Sequence, residues 1–96
     1  KENAILVNVA RGPVVDTQAL YDALVTDQIA GAGLDVLEQE PMAKDNPLAQ
    51  IKDSTKLIIT PHMAWASLES RTRLVDEVVK NIEAFLAGEN RNVVNL

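Results

Sequence analysis

The stretch Ile29-Ala30-Gly31-Ala32-Gly33-Leu34-Asp35-Val36 is a short apolar run broken only by one acid, which is typical of a buried strand. A similar run from Ala4 to Ala10 precedes it and has the composition of a strand covered on both faces. Between the two, residues 17–27 carry apolar side chains on one helical face, and Asp16 is a suitable N-cap. The order strand, helix, strand predicts a right-handed parallel crossover and therefore an α/β fold.

The second half of the sequence adds one strand and one long helix. A polar, irregular segment follows, in which Asn46-Pro47 predicts a short helical turn through Ile51. Leu57 to Thr60 is the third predicted strand. A helix is predicted from Ser67 to Ala87, with Gly88 at its end. Its apolar residues recur at helical spacing: Val75, Val78, Val79, Ile82, Phe85 and Leu86. The apolar tail, residues 93–96, has no obvious partner within this sequence.

Composition excludes several classes of function. The net charge is −5 and the basic residues are scattered, which argues against nucleic-acid binding. There is no cysteine and only one histidine, so neither a thiolate nor a histidine metal site is expected. The longest apolar runs fall far short of the ~20 residues that cross a membrane. We expect a cytoplasmic protein, and because the sequence starts directly before a strand, we expect a piece of a longer chain.

Polar groups suited to carbonyl chemistry follow each of the three predicted strands. Ligands of open α/β sheets bind beyond the carboxyl ends of the strands, so these groups should meet at one edge. The guanidinium of Arg11 matches a carboxylate with two hydrogen bonds. The imidazole of His62 can give and take a proton near neutral pH. A carboxylate such as that of Glu40, bonded to this imidazole, would orient it and favour its charged form.

Each of these residues, taken alone, also fits a structural role. Arg11 could form a surface salt bridge, His62 could be a hydrogen-bonded loop residue, and Glu40 could be a solvated acid. Asp35 differs, since an unpaired charge inside an apolar strand is costly, and it requires either a structural partner or a ligand amide. Together, an acid-binding arginine beside a carboxylate–histidine pair indicates reduction of a 2-keto acid, with the hydride source unidentified.

The motifs that carry this chemistry resemble the D-isomer-specific 2-hydroxyacid dehydrogenases over nearly the whole sequence. The matching segments are Asn8-Val9-Ala10-Arg11-Gly12-Pro13-Val14-Val15-Asp16, Ala19-Leu20, Ile29 to Val36, Glu40-Pro41, Asn46-Pro47-Leu48 and Thr60-Pro61-His62-Met63-Ala64. The resemblance is to the last third of such an enzyme. It implies that residues 1–65 form the second half of a Rossmann-type, doubly wound parallel sheet that binds NAD(P). Residues 66–96 would form a long interdomain helix and a C-terminal segment that returns to the substrate domain.

The resemblance also implies roles for individual residues. Arg11 would bind the substrate carboxylate and carbonyl, and Glu40 would orient and charge His62. His62 would protonate the alkoxide as hydride arrives from NAD(P)H.

The same resemblance implies which residues form the nicotinamide half of the cofactor site. Asp35 would hold the nicotinamide carboxamide, and the backbone near Val9 and Ala10 would line the pocket, beside Arg11 and His62. The glycine loop for the pyrophosphate and the residue that chooses NAD or NADP are not in this sequence. We therefore expect no turnover from these residues alone.

Two positions bear on the branch of the family. Glu40 differs from formate dehydrogenase, which has glutamine at the matching place. A tryptophan at position 65 resembles the glycerate dehydrogenase and hydroxypyruvate or glyoxylate reductase branch. Trp65 would either form a wall of a small-substrate pocket or anchor a core. A homodimer is expected for the full-length protein. Two alternatives stay open: a dinucleotide-sensing corepressor on the same fold, and a small α/β interaction domain or remnant without chemistry.

Overall fold

A computed structural model describes residues 1–94 of the chain. The strands are β1 (Ile5–Asn8), β2 (Gly31–Leu34) and β3 (Leu57–Ile59), and the helices are α1 (Thr17–Val25) and α2 (Leu68–Leu86). Two short 3₁₀ turns, Gly12–Val14 and Pro47–Gln50, lie in the connections. The chain forms two compact units, one from Lys1 to Ala64 and one from Trp65 onward.

The first unit is built on a parallel sheet in the order β1-β2-β3. In register, Leu6 lies beside Ala32, and Ala32 lies beside Leu57. The α/β class, the three strands and their parallel pairing confirm the prediction. The strands are shorter than predicted, and at the end of β1 a side chain turns the backbone. The amide of Ala10, for example, donates to the side-chain oxygen of Asn8 instead of continuing the strand (3.1 Å).

Helix α1 covers one face of the sheet. Asp16 caps it by accepting a hydrogen bond from the amide of Ala19 (2.8 Å), as predicted. The helix ends two residues before the predicted Asp27, whose left-handed backbone (φ +56°) no longer belongs to it. The core consists of the buried side chains of Leu20, Leu24, Ala32, Leu34 and Leu48.

The opposite face of the sheet is exposed, which differs from the prediction of strands covered on both faces. On this face the exposed fraction of the residue is 71% for Ile5, 68% for Val7 and 60% for Ile58. Apolar residues on both sides of a strand need two covering layers, and α1 supplies only one of them. The apolar pattern of the strands thus predicts a second covering layer on the sheet, which this unit does not contain.

The second unit is dominated by α2. Ser67 caps its start by accepting from the amide of Ser70 (3.1 Å), and Gly88 follows its end with a φ of +75°, both as predicted. After the helix, Arg91 returns to it, with Nη2 2.6 Å from the Glu77 carboxylate and Nη1 donating to the Asn81 side chain (2.7 Å). The predicted packing of residues 93–96 involves Asn95 and Leu96, which lie outside the described residues. No helix within residues 1–94 is long and apolar enough to cross a membrane.

Candidate active site

The polar residues singled out in the sequence follow the carboxyl ends of the strands of the first unit. Asp35 comes directly after β2, and its amide donates to the carbonyl of Asn8 (2.9 Å). Thr60 comes directly after β3, and its amide donates to the carbonyl of Leu34 (2.9 Å). Because the strands are parallel, the loops that carry Arg11, Glu40 and His62 leave the sheet at the same edge.

Glu40 and His62 are hydrogen-bonded to each other. Oε2 of Glu40 lies 2.7 Å from Nδ1 of His62, and the two side chains are partly exposed. The amide of Leu37 donates to Oε1 of Glu40 (2.9 Å). The bond from His62, followed by that from Leu37, holds the pKa of Glu40 below its ordinary value. The structure therefore pairs an ionised carboxylate with the imidazole, while the catalytic roles of both residues stay predictions.

The backbone at His62 has an unusual conformation. Its φ is +52°, in the left-handed region, and its amide donates to the carbonyl of Thr60 across Pro61 (3.0 Å). A non-glycine residue in this region costs on the order of 1–2 kcal/mol, so surrounding contacts must hold it there.

Asp35 supplies such contacts. The residue is 5% exposed, and its Oδ1 accepts from the Thr60 hydroxyl (2.6 Å) and the Met63 amide (2.9 Å). Its Oδ2 accepts from the Ala64 amide (2.8 Å). The bond from Thr60, then those from Ala64 and Met63, holds the pKa of Asp35 below its ordinary value. The acid within an apolar run thus has structural partners, and its contact with a nicotinamide carboxamide stays a prediction.

Arg11 lies in the loop after β1, and its side chain is exposed to solvent. Its Nη1 donates to the carbonyl of Ala10 (2.9 Å). Because β2 lies between β1 and β3, the ends of the two outer strands are separated by about 10 Å, twice the usual strand spacing. Val9 is 59% exposed in the same loop, so it offers apolar surface at the edge.

Two residues that shape this loop were not identified from the sequence as part of the site. Asn8 is buried; its side-chain nitrogen donates to the carbonyl of Arg11 (2.9 Å), while its oxygen accepts from Ala10. Gly12 packs against the backbone of Leu37 with no room for a side chain. A polar residue in an apolar strand was the available signal for Asn8, as it was for Asp35.

A cleft of about 410 Å³ opens beside the paired side chains. It is lined by polar and apolar groups in similar number, among them Asp35, Leu37, Glu40, Met42, Ile59, Thr60 and His62. Within residues 1–94, no cluster of three or more acidic, histidine or cysteine side chains could hold a metal ion. Trp65 belongs to the second unit and is exposed, so its place in a substrate pocket stays a prediction.

Comparison with known proteins extends these observations. Residues 1–64 match the sequence model described as D-isomer specific 2-hydroxyacid dehydrogenase, NAD binding domain. The hydroxypyruvate reductase of Blautia hydrogenotrophica is 50% identical over 95 residues, covering 99% of this chain and 29% of the relative. The glycerate dehydrogenase of Methylorubrum extorquens is 51% identical over 94 residues, covering 98% of this chain and 30% of the relative. The chain therefore spans less than a third of the length of these relatives.

A solved structure shares the fold as well as the sequence. The NADPH-dependent glyoxylate/hydroxypyruvate reductase of Sinorhizobium meliloti superposes with a TM-score of 0.68 at 39% identity. The superposition covers 97% of this chain and 29% of that protein. The parallel sheet of the first unit is thus a part of a Rossmann fold.

Proposed function

The chain belongs to the family of D-isomer specific 2-hydroxyacid dehydrogenases, and on that premise we propose that it supplies the proton-donating side of the active site in an NAD(P)-dependent reductase of small 2-keto acids. The observation that carries the proposal is the 2.7 Å hydrogen bond between Nδ1 of His62 and Oε2 of Glu40 at the carboxyl edge of the sheet. Relatives described as hydroxypyruvate reductase and glycerate dehydrogenase favour substrates of the glyoxylate or hydroxypyruvate type.

The reaction joins one hydride and one proton to the keto group. Val9, Ala10 and Asp35 would hold a reduced nicotinamide, whose chemistry would supply a hydride to the carbonyl carbon while the electron pair of the C=O bond moves to the oxygen. His62 gives that oxygen a proton from Nε2, the ring nitrogen opposite Glu40. The ionised Glu40 stabilises the imidazolium before transfer and holds the ring orientation throughout.

Arg11 is proposed to bind the other end of the substrate. A guanidinium remains charged and matches a carboxylate with two parallel hydrogen bonds. Its present partner, the carbonyl of Ala10, is neutral, so exchange for a carboxylate adds the attraction between two opposite charges and a second parallel bond. The distance of about 10 Å between the outer strand ends leaves room for a small acid between Arg11 and His62.

The residues of the β1 loop fit a nicotinamide ring. The exposed side chain of Val9 gives a flat, apolar group a surface to pack on, and Asp35 lies at the same edge for the carboxamide. These residues would hold the nicotinamide half only. The proposal accordingly includes either NAD or NADP as the cofactor.

Three finer features belong to the same proposal. Trp65 would wall a pocket for a small substrate, as an indole can through its large apolar face. The full-length protein would be a homodimer, since α2 exposes apolar side chains that another chain or segment could cover. Its place would be the cytoplasm, where nicotinamide cofactors and small keto acids are available.

The test uses protein made from the complete coding region. Glyoxylate or hydroxypyruvate with NADH or NADPH should give loss of absorbance at the nicotinamide band. His62→Ala should lower kcat by about 10²–10⁴, as expected for a lost general acid. Tight dinucleotide binding with no turnover of any small keto acid would instead support the corepressor alternative.

A further inference from the structure

We propose that Asp35 is a positioning residue whose carboxylate, together with the Thr60 hydroxyl, fixes the turn that directs the His62 imidazole at Glu40. This inference rests on the proposed function for its relevance to catalysis, but its geometry stands on the hydrogen bonds of the chain itself. Asp35 would hold this turn in place whether or not a cofactor is bound.

The donors to Asp35 come from both sides of His62. The hydroxyl of Thr60 precedes the histidine by two residues, and the amides of Met63 and Ala64 follow it directly. One carboxylate therefore holds the two ends of a five-residue turn, residues 60–64, with His62 at its centre. The carboxylate is buried and all three contacts are 2.9 Å or shorter.

The conformation of His62 needs this support. With φ at +52°, the residue occupies a region that side chains other than glycine seldom adopt. If the ends of the turn were released, the backbone would relax toward a negative φ, and the Cα–Cβ bond would point elsewhere. The 2.7 Å contact with Glu40 depends on that direction.

The positioning task is compatible with the predicted contact to a nicotinamide carboxamide. A carboxylate has about four acceptor positions on its two oxygens, and the turn uses three of them. Oδ2, which accepts only from Ala64 among the hydrogen bonds of the described residues, has capacity for one further donor. Binding of a cofactor amide at that oxygen would then couple the cofactor to the histidine through a single side chain.

The direction in which the pKa of Glu40 changes in an Asp35 variant separates two explanations of the effect, loss of a charge and release of the turn. The bond from His62 is the largest cause that lowers this pKa, whereas the negative charge of Asp35 raises it. If Asp35→Asn only removed a charge, the pKa of Glu40 would fall. If it also released the turn and broke the His62 contact, the pKa would rise toward its ordinary value.

The experiment is NMR titration of the full-length protein without cofactor, following the Glu40 carboxyl carbon and the His62 ring nitrogens. We expect the pKa of Glu40 to rise in Asp35→Asn and, by a smaller amount, in Thr60→Val, which removes a hydroxyl without changing any charge. Thr60→Ser restores the hydroxyl and should restore the titration. The matched control is Asp53→Asn, because Asp53 accepts from Thr55 in the same way in another turn (2.6 and 2.8 Å).

A pKa of Glu40 that falls in Asp35→Asn and stays unchanged in Thr60→Val would overturn the proposal. If Asp35→Asn does not fold, Thr60→Val and Thr60→Ser carry the test alone. These titrations require neither cofactor nor turnover, so they succeed or fail independently of the proposed reaction. In the full-length protein, Thr60→Val should lower kcat by about 10- to 100-fold, as misplacement of a reacting group does, with unchanged cofactor affinity.

Discussion

A Cβ atom placed on Gly12 would lie 1.9 Å from the carbonyl oxygen of Leu37. The loop after β1 and the loop after β2 therefore touch backbone to backbone at this point. The amide of Leu37 donates to Glu40, and Gly12 directly follows Arg11. This single approach thus fixes the loop of Arg11 relative to the carboxylate that is hydrogen-bonded to His62.

Gly12→Ala should destabilise the chain by about 1–3 kcal/mol, because a methyl group in this position forces the backbone to move. The matched control is Gly33→Ala, since a Cβ on Gly33 would meet nothing within 4 Å. We expect the control to be neutral or to gain up to about 1 kcal/mol, as a strand glycine usually does on replacement by alanine. Urea unfolding of the two variants makes the comparison, and equal midpoints would contradict it.

Glu40→Gln in the full-length protein should lower kcat by about 10- to 100-fold while the KM of the keto acid changes little. Glutamine can still accept a hydrogen bond, but it no longer stabilises the charged imidazole. Glu38→Gln is the matched control, because the Glu38 carboxylate pairs with the hydroxyl of Thr17 and not with the histidine. Steady-state rates are measured for both variants. A similar loss of kcat in both would show that Glu40 has no specific role in the reaction.

Arg11→Lys should raise the KM of the keto acid and lower kcat, by about tenfold or more in kcat/KM. Lysine keeps the charge but lacks the planar fork that holds a carboxylate with two bonds. Cofactor affinity, measured separately by nicotinamide fluorescence, should stay as in the unmodified protein. A variant with normal kcat/KM would show that Arg11 does not bind the substrate carboxylate.

The pH dependence of unfolding follows from two carboxyl groups. Asp35 and Glu40 both have a pKa below the ordinary value in the folded chain. Groups of this kind add stability above their unfolded pKa, and they lose that stability as the pH falls through the folded pKa. Their contribution should therefore be constant from neutral pH to about pH 5 and decline below about pH 4.

Urea midpoints at a series of acid pH values test this expectation. Asp53 and Glu77 also have lowered pKa values and add to the same decline, so the comparison must be made against a variant. Asp35→Asn should show a shallower decline than the unmodified chain. A midpoint that rises on acidification would show that the folded pKa values lie above the ordinary ones.

The isolated chain should show no turnover with keto acids and NADH or NADPH. It covers about 29% of the length of its relative from Blautia, and its sequence lacks the glycine loop that binds the pyrophosphate. The absorbance of the nicotinamide band should stay constant over hours. Saturable turnover by the chain alone would show that the missing portion is dispensable.

Local signals in the sequence predicted the frame of the fold well. The caps at Asp16, Asn46 and Ser67 and the glycine after α2 each act within four residues, so residue type and spacing suffice to find them. The parallel strands followed from apolar runs separated by a helical pattern. The end of β1 was placed too late because the side chain of Asn8 competes with the hydrogen bonds between the strands.

The parts of the site that the sequence did not predict depend on contacts between distant segments. The left-handed backbone of His62 lies in a turn whose two ends are hydrogen-bonded to a carboxylate 27 positions earlier in the sequence. The need for glycine at position 12 arises from a backbone 25 positions later. Neither the residue type nor its neighbours along the chain carry that information, because it arises only when the strands are aligned.

The arrangement of Arg11 and His62 on the loops of the two outer strands has a stereochemical consequence. In the proposed reaction, Arg11 holds a planar keto acid at its carboxylate and His62 holds it at its carbonyl oxygen, and a wall against its third substituent would keep it from turning over between them. Only one of its two faces is then open to the nicotinamide. With the nicotinamide on one side of that plane, the handedness of the alcohol would follow from which outer strand carries the arginine and which carries the histidine.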